Sequence, residues 1–94
     1  MDKNEIKQEL LNMLLKLFPN VGISADILEY VDLIDDLGMD SITFISIVVE
    51  VEKVFRISVS DDMLLMENFR NTEKIMSIIE DAKNISAVGK KGDE

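Results

Sequence analysis

The stretch "SITFISIVVEVEKVFR", Ser41 to Arg56, runs sixteen residues without a turn signal. Its composition and its length pull in different directions. Ile and Val dominate, and Ile47, Val49 and Val51 alternate with period two, which suits a strand. Sixteen residues is long for a strand and ordinary for a helix. Phe44, Val48, Val51 and Phe55 also fall on one helical face. Length favours the helix, although propensity keeps the strand open. Asp40 would then be the N-cap, its carboxylate taking an N–H that the first turn leaves free.

The other segments read as helix or loop. Ile6, Leu10, Met13, Leu14 and Leu17 recur at helical spacing over residues 2–18. Pro19 stops that helix, because it lacks an N–H and pushes the residue before it out of the α region. "PNVG" reads as a turn. Residues 19–40 form a long connection, in which Leu28, Val31, Ile34 and Leu37 predict a short helical turn tacked to the core. In "VSDDMLLMENF", Ser60 or Asp61 can cap a short helix through Met66, and "NFRN" reads as a second turn. Asn71 or Thr72 caps a last helix to about Lys83, with Ile75, Ile78, Ile79 and Ala82 inward. The expected fold is all-α: a small bundle of three longer helices and a short one, joined by one long loop and several short ones. The small, polar segment "SAVGKKGDE", residues 86–94, is expected to be a disordered tail after a single domain over residues 1–85. Starting at Met1 and ending soon after the last helix, the chain reads as a discrete protein.

Two absences narrow the chemistry. The 94 residues contain neither Cys nor His. Disulfides and thiolate metal sites are therefore impossible, and the usual general base and commonest metal ligand are missing. The formal net charge is −9, which argues against nucleic acid and anionic membrane as partners. Between Lys16 and Lys53 no basic residue occurs, while Asp26, Glu29, Asp32, Asp35, Asp36, Asp40, Glu50 and Glu52 all lie there. A solvated acidic face would account for this. So would a surface that steers basic partners to one place. No apolar run is long enough to span a membrane, and "MDKNEIKQEL" is too polar for a signal peptide, so the cytoplasm is the expected compartment.

At the centre of the acidic interval stands "LGMDSI", residues 37–42. Ser41 cannot be a triad nucleophile in a chain with no His. Its neighbour Asp40 would not face it on a helix, and no lysine lies within 11 residues. Asp35, Asp36 and Asp40 occupy an exposed-looking loop, where nothing would raise a carboxyl pKa for acid–base work. A calcium loop starting at Asp32 fails too, with Ile34 third and no glycine sixth. What remains is a serine acted on by another enzyme. A helix N-terminus suits a phosphate there, since free N–H groups and the helix dipole both favour an anion. The nearby carboxylates then read as contacts for a cationic modifying enzyme. Gly38 reads as a turn residue needing an unusual φ.

"DDLGMDSITFISIVVEVEKVF", Asp35 to Phe55, resembles the acyl carrier proteins, whose hallmark is Leu-Gly-x-Asp-Ser behind one or two acids and ahead of Leu, Ile or Met. The likeness in helix order and spacing runs from about Ile6 to Lys83. It implies a four-helix bundle, with the helix at Ser41 as its second and a short third helix near Asp61–Met66, and it settles the segment 41–56 as helix. It also implies that a phosphopantetheinyl transferase attaches 4'-phosphopantetheine from coenzyme A to Ser41, with Gly38, Asp40 and Ile42 around the attachment. The protein would be no enzyme. It would be a monomer presenting acyl thioesters to acyl-processing enzymes with basic docking patches. Asp35, Asp36, Thr43, Ile45, Ser46, Val49, Glu52 and Met63 would face those partners.

Fatty-acid-type members carry acids two and five residues after the modified serine, where this chain has Thr43 and Ser46. Glu52 matches the acid eleven residues on. The partner-facing surface is correspondingly more apolar and hydroxylic. A fatty-acid role and a specialised role, in polyketide or related lipid synthesis, stand side by side. Met39, Met63 and Met66, with Ile42 and Leu65, are candidates for a path by which an acyl chain enters the bundle; ordinary packing is the plainer reading. Two rivals remain: an aminoacyl or peptidyl carrier, and a non-covalent helical adaptor that has lost the arm.

Overall fold

Asp2 starts the first helix through a capping box. Its carboxylate accepts the N–H of Glu5 at 2.9 Å, and the Glu5 carboxylate accepts the N–H of Asp2 at 3.4 Å. Helix α1 spans Lys3–Leu17 and ends where the Phe18 N–H closes on the Leu14 carbonyl, one residue before Pro19. The computed structural model describes residues 2–19 and 22–92, with side chains as far as residue 84; Asn20 and Val21, half of the expected "PNVG" turn, lie outside the described residues. Ile6, Leu10, Met13 and Leu14 are buried as the spacing predicted, and Leu11 joins them.

The long connection is mostly structured. Helix α2 is a single turn, Ala25–Leu28, and a series of tight turns follows. Leu28 and Leu33 are fully buried, and Val31, Ile34 and Leu37 pack on the core beside them. Apolar anchors thus fix a loop that would otherwise be costly to order.

Helix α3 spans Ser41–Phe55, so length prevails over β-propensity in this segment. Ile47, Val51 and Phe55 are buried, while Phe44 and Val48 are half-buried at the edge of that face. Arg56 stops the helix in the left-handed region, at φ 54°, and the Ile57 N–H then reaches back to the Glu52 carbonyl. Ile57 and Val59, beyond the helix, are buried in the core.

The expected short helix through Met66 is instead two 3-10 turns, Asp61–Met63 and Met66–Phe69. Leu64 (ψ 57°) and the extended Leu65 separate them. Helix α4 spans Thr72–Gly92. Its cap is Asn71, whose side-chain oxygen accepts the Lys74 N–H at 2.9 Å. The pattern predicted an end near Lys83 and a disordered tail from residue 86. The helix instead carries on to Gly92, with no proline to stop an already nucleated run. Residues 93 and 94 lie outside the described residues.

Helix α1 packs against both α3 and α4, and the second 3-10 turn bridges α3 and α4. Phe69, fully buried on that turn, meets Phe44 of α3 edge to face at 5.3 Å between centroids. The described residues contain no strand, and the fold is an all-helical bundle as expected.

Candidate functional site

Ser41 is the first residue of α3, and it is exposed. The helix starts there because Asp40 caps it. Asp40 is extended (φ −105°, ψ −179°), and its Oδ1 accepts the Thr43 N–H at 2.8 Å. That amide, and then the Thr43 hydroxyl, hold the Asp40 carboxyl below its usual range. Gly38 makes the preceding turn. Its φ of +66° is the left-handed conformation the sequence predicted, and its N–H closes on the Ile34 carbonyl at 3.0 Å. A Cβ at Gly38 would meet open space, so only the backbone angle selects glycine. Met39 is buried, which pins the chain one residue before the cap.

The acids flanking Ser41 are less free than their sequence run implies. Arg70, which closes the second 3-10 turn just ahead of the α4 cap, places Nε 2.7 Å from Asp32 Oδ2 and Nη2 3.5 Å from Asp35. The Nε contact is a charge contact rather than an aligned hydrogen bond. Nη1 of the same side chain lies 2.7 Å from Glu67. Asp32 also accepts the N–H groups of Ile34 and Asp35, and Asp36 accepts that of Asp32. The Asp35 amide first, and then Arg70, pull the Asp32 carboxyl below its usual range. Lys7 of α1 reaches Glu29 at 2.9 Å. Asp35, Asp36 and Asp40 remain exposed.

Along α3, Ile42 (78% exposed), Ile45 (59%) and Val49 (55%) form an apolar stripe that begins beside Ser41. Thr43 and Ser46 are half-buried, and the Ser46 hydroxyl donates to the Ile42 carbonyl at 3.1 Å. Glu52 departs from its expected outward role: it is half-buried, and its carboxylate accepts the Val59 N–H at 2.9 Å. Met63 and Met66 are half-buried against the core, whereas Leu65 faces solvent. Met39 lies in the core and Ile42 in solvent. A groove of about 710 Å³ does exist, between the start of α1 and α4, lined by Lys7, Tyr30, Thr72 and Met76 among others; no residue of α3 lines it.

No cluster of His, Cys, Asp or Glu among the described residues could hold a metal ion. The exposed hydroxyl on the first turn of a fifteen-residue helix does fit a phosphodiester, which would lie in the field of the helix N-terminus.

A family model described as a phosphopantetheine attachment site matches residues 14–79, more than half of the chain. An acyl carrier protein of Phytoplasma australiense is 38% identical over 52 residues, 55% of this chain and 63% of that protein. The chain belongs to the acyl carrier protein family. Acyl carrier proteins of Phytoplasma mali (strain AT) and Onion yellows phytoplasma (strain OY-M) are 37% and 42% identical, over 49 and 45 residues. Those matches cover 52% and 48% of this chain, and 56% and 57% of the relatives. The chain thus spans less than two thirds of the length of the curated relatives it matches. Members of the family are carriers rather than catalysts, and the group they take covalently is 4'-phosphopantetheine. No helix among the described residues is long and apolar enough to cross a membrane.

Sequence reasoning missed Arg70. It lies 35 residues from Asp35, and only folding brings the two together.

Proposed function

We infer that Ser41 carries 4'-phosphopantetheine, and that the chain holds acyl groups as thioesters for fatty-acid, polyketide or related specialised lipid synthesis in the cytoplasm. One observation carries the reading: an exposed serine opens a capped helix inside the attachment-site family match, in a chain without His to activate it. When bound, the arm supplies a terminal thiol on which the acyl chain is carried.

The chain's own residues do the rest. Ser41 Oγ accepts the phosphodiester, and the α3 N-terminus favours that anion. Asp40 holds the helix start by binding the Thr43 amide. Gly38 turns the chain into it. Ile42, Ile45 and Val49 offer partners an apolar strip, with the half-buried Thr43 and Ser46 on the same helix, and Met63 is read as a further partner-facing residue. Asp35 and Asp36 supply negative charge to a transferase or acyl-processing enzyme with a basic docking patch, which speeds encounter more than it tightens binding. Glu52 contributes to the loop after α3 rather than to docking. An arm tethered at Ser41 presents its cargo at high effective concentration to whichever enzyme is docked.

The test is intact mass after incubation with coenzyme A and a broad-specificity phosphopantetheinyl transferase. The wild-type chain is expected to gain one arm, and Ser41→Ala none. No gain by the wild type overturns the reading in favour of a helical adaptor. Loading by aminoacyl but not acyl donors would move the assignment to an aminoacyl carrier.

A further inference from the structure

The loop that delivers the chain to Ser41 is tied to the turn just ahead of α4 through Leu33. The Leu33 N–H donates to the Arg70 carbonyl at 2.7 Å, and the Leu33 carbonyl accepts the Met39 N–H at 2.9 Å. Leu33 and Met39 are both buried, so these bonds are shielded from water. The tie therefore runs from Arg70 through Leu33 to Met39, two residues before Ser41.

The Arg70 side chain reinforces the same junction. One guanidinium meets three carboxylates: Asp32 at 2.7 Å, Glu67 at 2.7 Å and, more loosely, Asp35 at 3.5 Å. Asp32 organises the turn, accepting the N–H groups of Ile34 and Asp35 through Oδ1 while Oδ2 faces Arg70. A planar fork can hold carboxylates on several sides at once, which a single ammonium cannot. Arg70 is only about a quarter exposed (27% of its side chain), so most of it faces this junction rather than a partner.

We propose that Arg70 is a positioning residue for the modification of Ser41: it clamps the Asp32–Asp36 turn to the turn just ahead of α4 and so keeps Met39, Asp40 and Ser41 in the arrangement a transferase binds. The proposal rests on Ser41 being the attachment serine. Without the clamp, a smaller fraction of chains has the loop docked. Apparent affinity for the transferase falls by that fraction, whereas a bound, docked chain reacts as before.

The experiment measures steady-state transfer from coenzyme A to the apo chain for wild type, Arg70→Gln, Asp32→Asn and the double variant. Amide hydrogen exchange at Leu33 and Met39 is followed in parallel by NMR. Asp32→Asn keeps the Oδ1 acceptor of the turn and removes the charge that Arg70 holds, so it carries the test should Arg70→Gln fail to fold. Each single variant is expected to raise KM for the carrier about three- to tenfold at unchanged kcat. Leu33 and Met39 amides should exchange faster in both, and the double variant should be no worse than either, because the two changes break one clamp. An unchanged KM in the folded variants overturns the proposal. So do additive KM effects with Leu33 and Met39 still protected, which would make Arg70 a direct contact of the enzyme. A wild-type chain that accepts no arm is a different result: it overturns the attachment reading, and this role of Arg70 with it.

Discussion

Asp40 links the start of α3 to pH. Its folded pKa lies below the ordinary 3.8, chiefly because the Thr43 N–H binds the ionised form. A depressed carboxyl contributes stability that is fully present above its unfolded pKa and is lost as pH falls through the folded value. The window therefore lies below the ordinary 3.8, and Asp32, depressed by the Asp35 amide and Arg70, adds to the same slope. Asp40→Asn keeps a capping oxygen and cannot titrate. Its thermal midpoint should fall less steeply than that of the wild type as the solution is taken below pH 4; parallel curves would mean that the cap is not protonated there. The cap at Asp40 and the left-handed turn at Gly38 were legible in the sequence because each acts on neighbours within a few residues. Glu52 was not, because its acceptor role lies with Val59, seven residues on, and points inward. Nor was the pairing of Lys7 with Glu29, across 22 residues.

At the scale of the element, α3 is a helix that its own composition does not favour. Val and Ile lose side-chain freedom in helices, so the segment relies on packing of one face. That face is the line Ile47, Val51 and Phe55, flanked by Phe44 and Val48. The sequence pattern located Phe44, Val48, Val51 and Phe55 but assigned Ile47 to a strand-like alternation, because a segment apolar on nearly every side does not mark its inner face sharply. The two 3-10 turns were illegible for a related reason: a single helical turn has too little periodicity to distinguish it from a tighter one. Leu33 sits in a turn, where no period applies at all. The contrast within α3 gives a prediction. Ile47 is fully buried, and Ile45 is 59% exposed. Ile47→Ala should destabilise the chain by about 2–5 kcal/mol, and Ile45→Ala should stay within about 0.5 kcal/mol of wild type. Urea unfolding of both variants measures this. Comparable losses would mean that the exposed stripe is packed against something in the free protein, and so would not be open to partners.

For the whole molecule, the question is whether its charges help or oppose folding. Nineteen acids face ten bases. Among the described residues the ion pairs engage Lys7, Arg70 and Lys74. Most are contacts at 2.7–2.9 Å between partly exposed groups, and such pairs contribute little to stability because solvent screens them. The excess negative charge acts over longer distances. At ~0.01 M ionic strength the screening length is about 30 Å, wide enough for acids across a small domain to repel one another; at ~0.15 M it is about 8 Å. Added salt thus removes more repulsion than attraction. The thermal midpoint should rise as sodium chloride goes from about 10 to 150 mM at neutral pH. A falling midpoint would show that the short ion pairs dominate, Arg70 with them. The same range of salt should slow association with a cationic transferase, since screening weakens steering. On the proposed carrier reading, stability and encounter rate are therefore expected to move in opposite directions, because the same unbalanced field that strains the bundle would draw in a cationic partner.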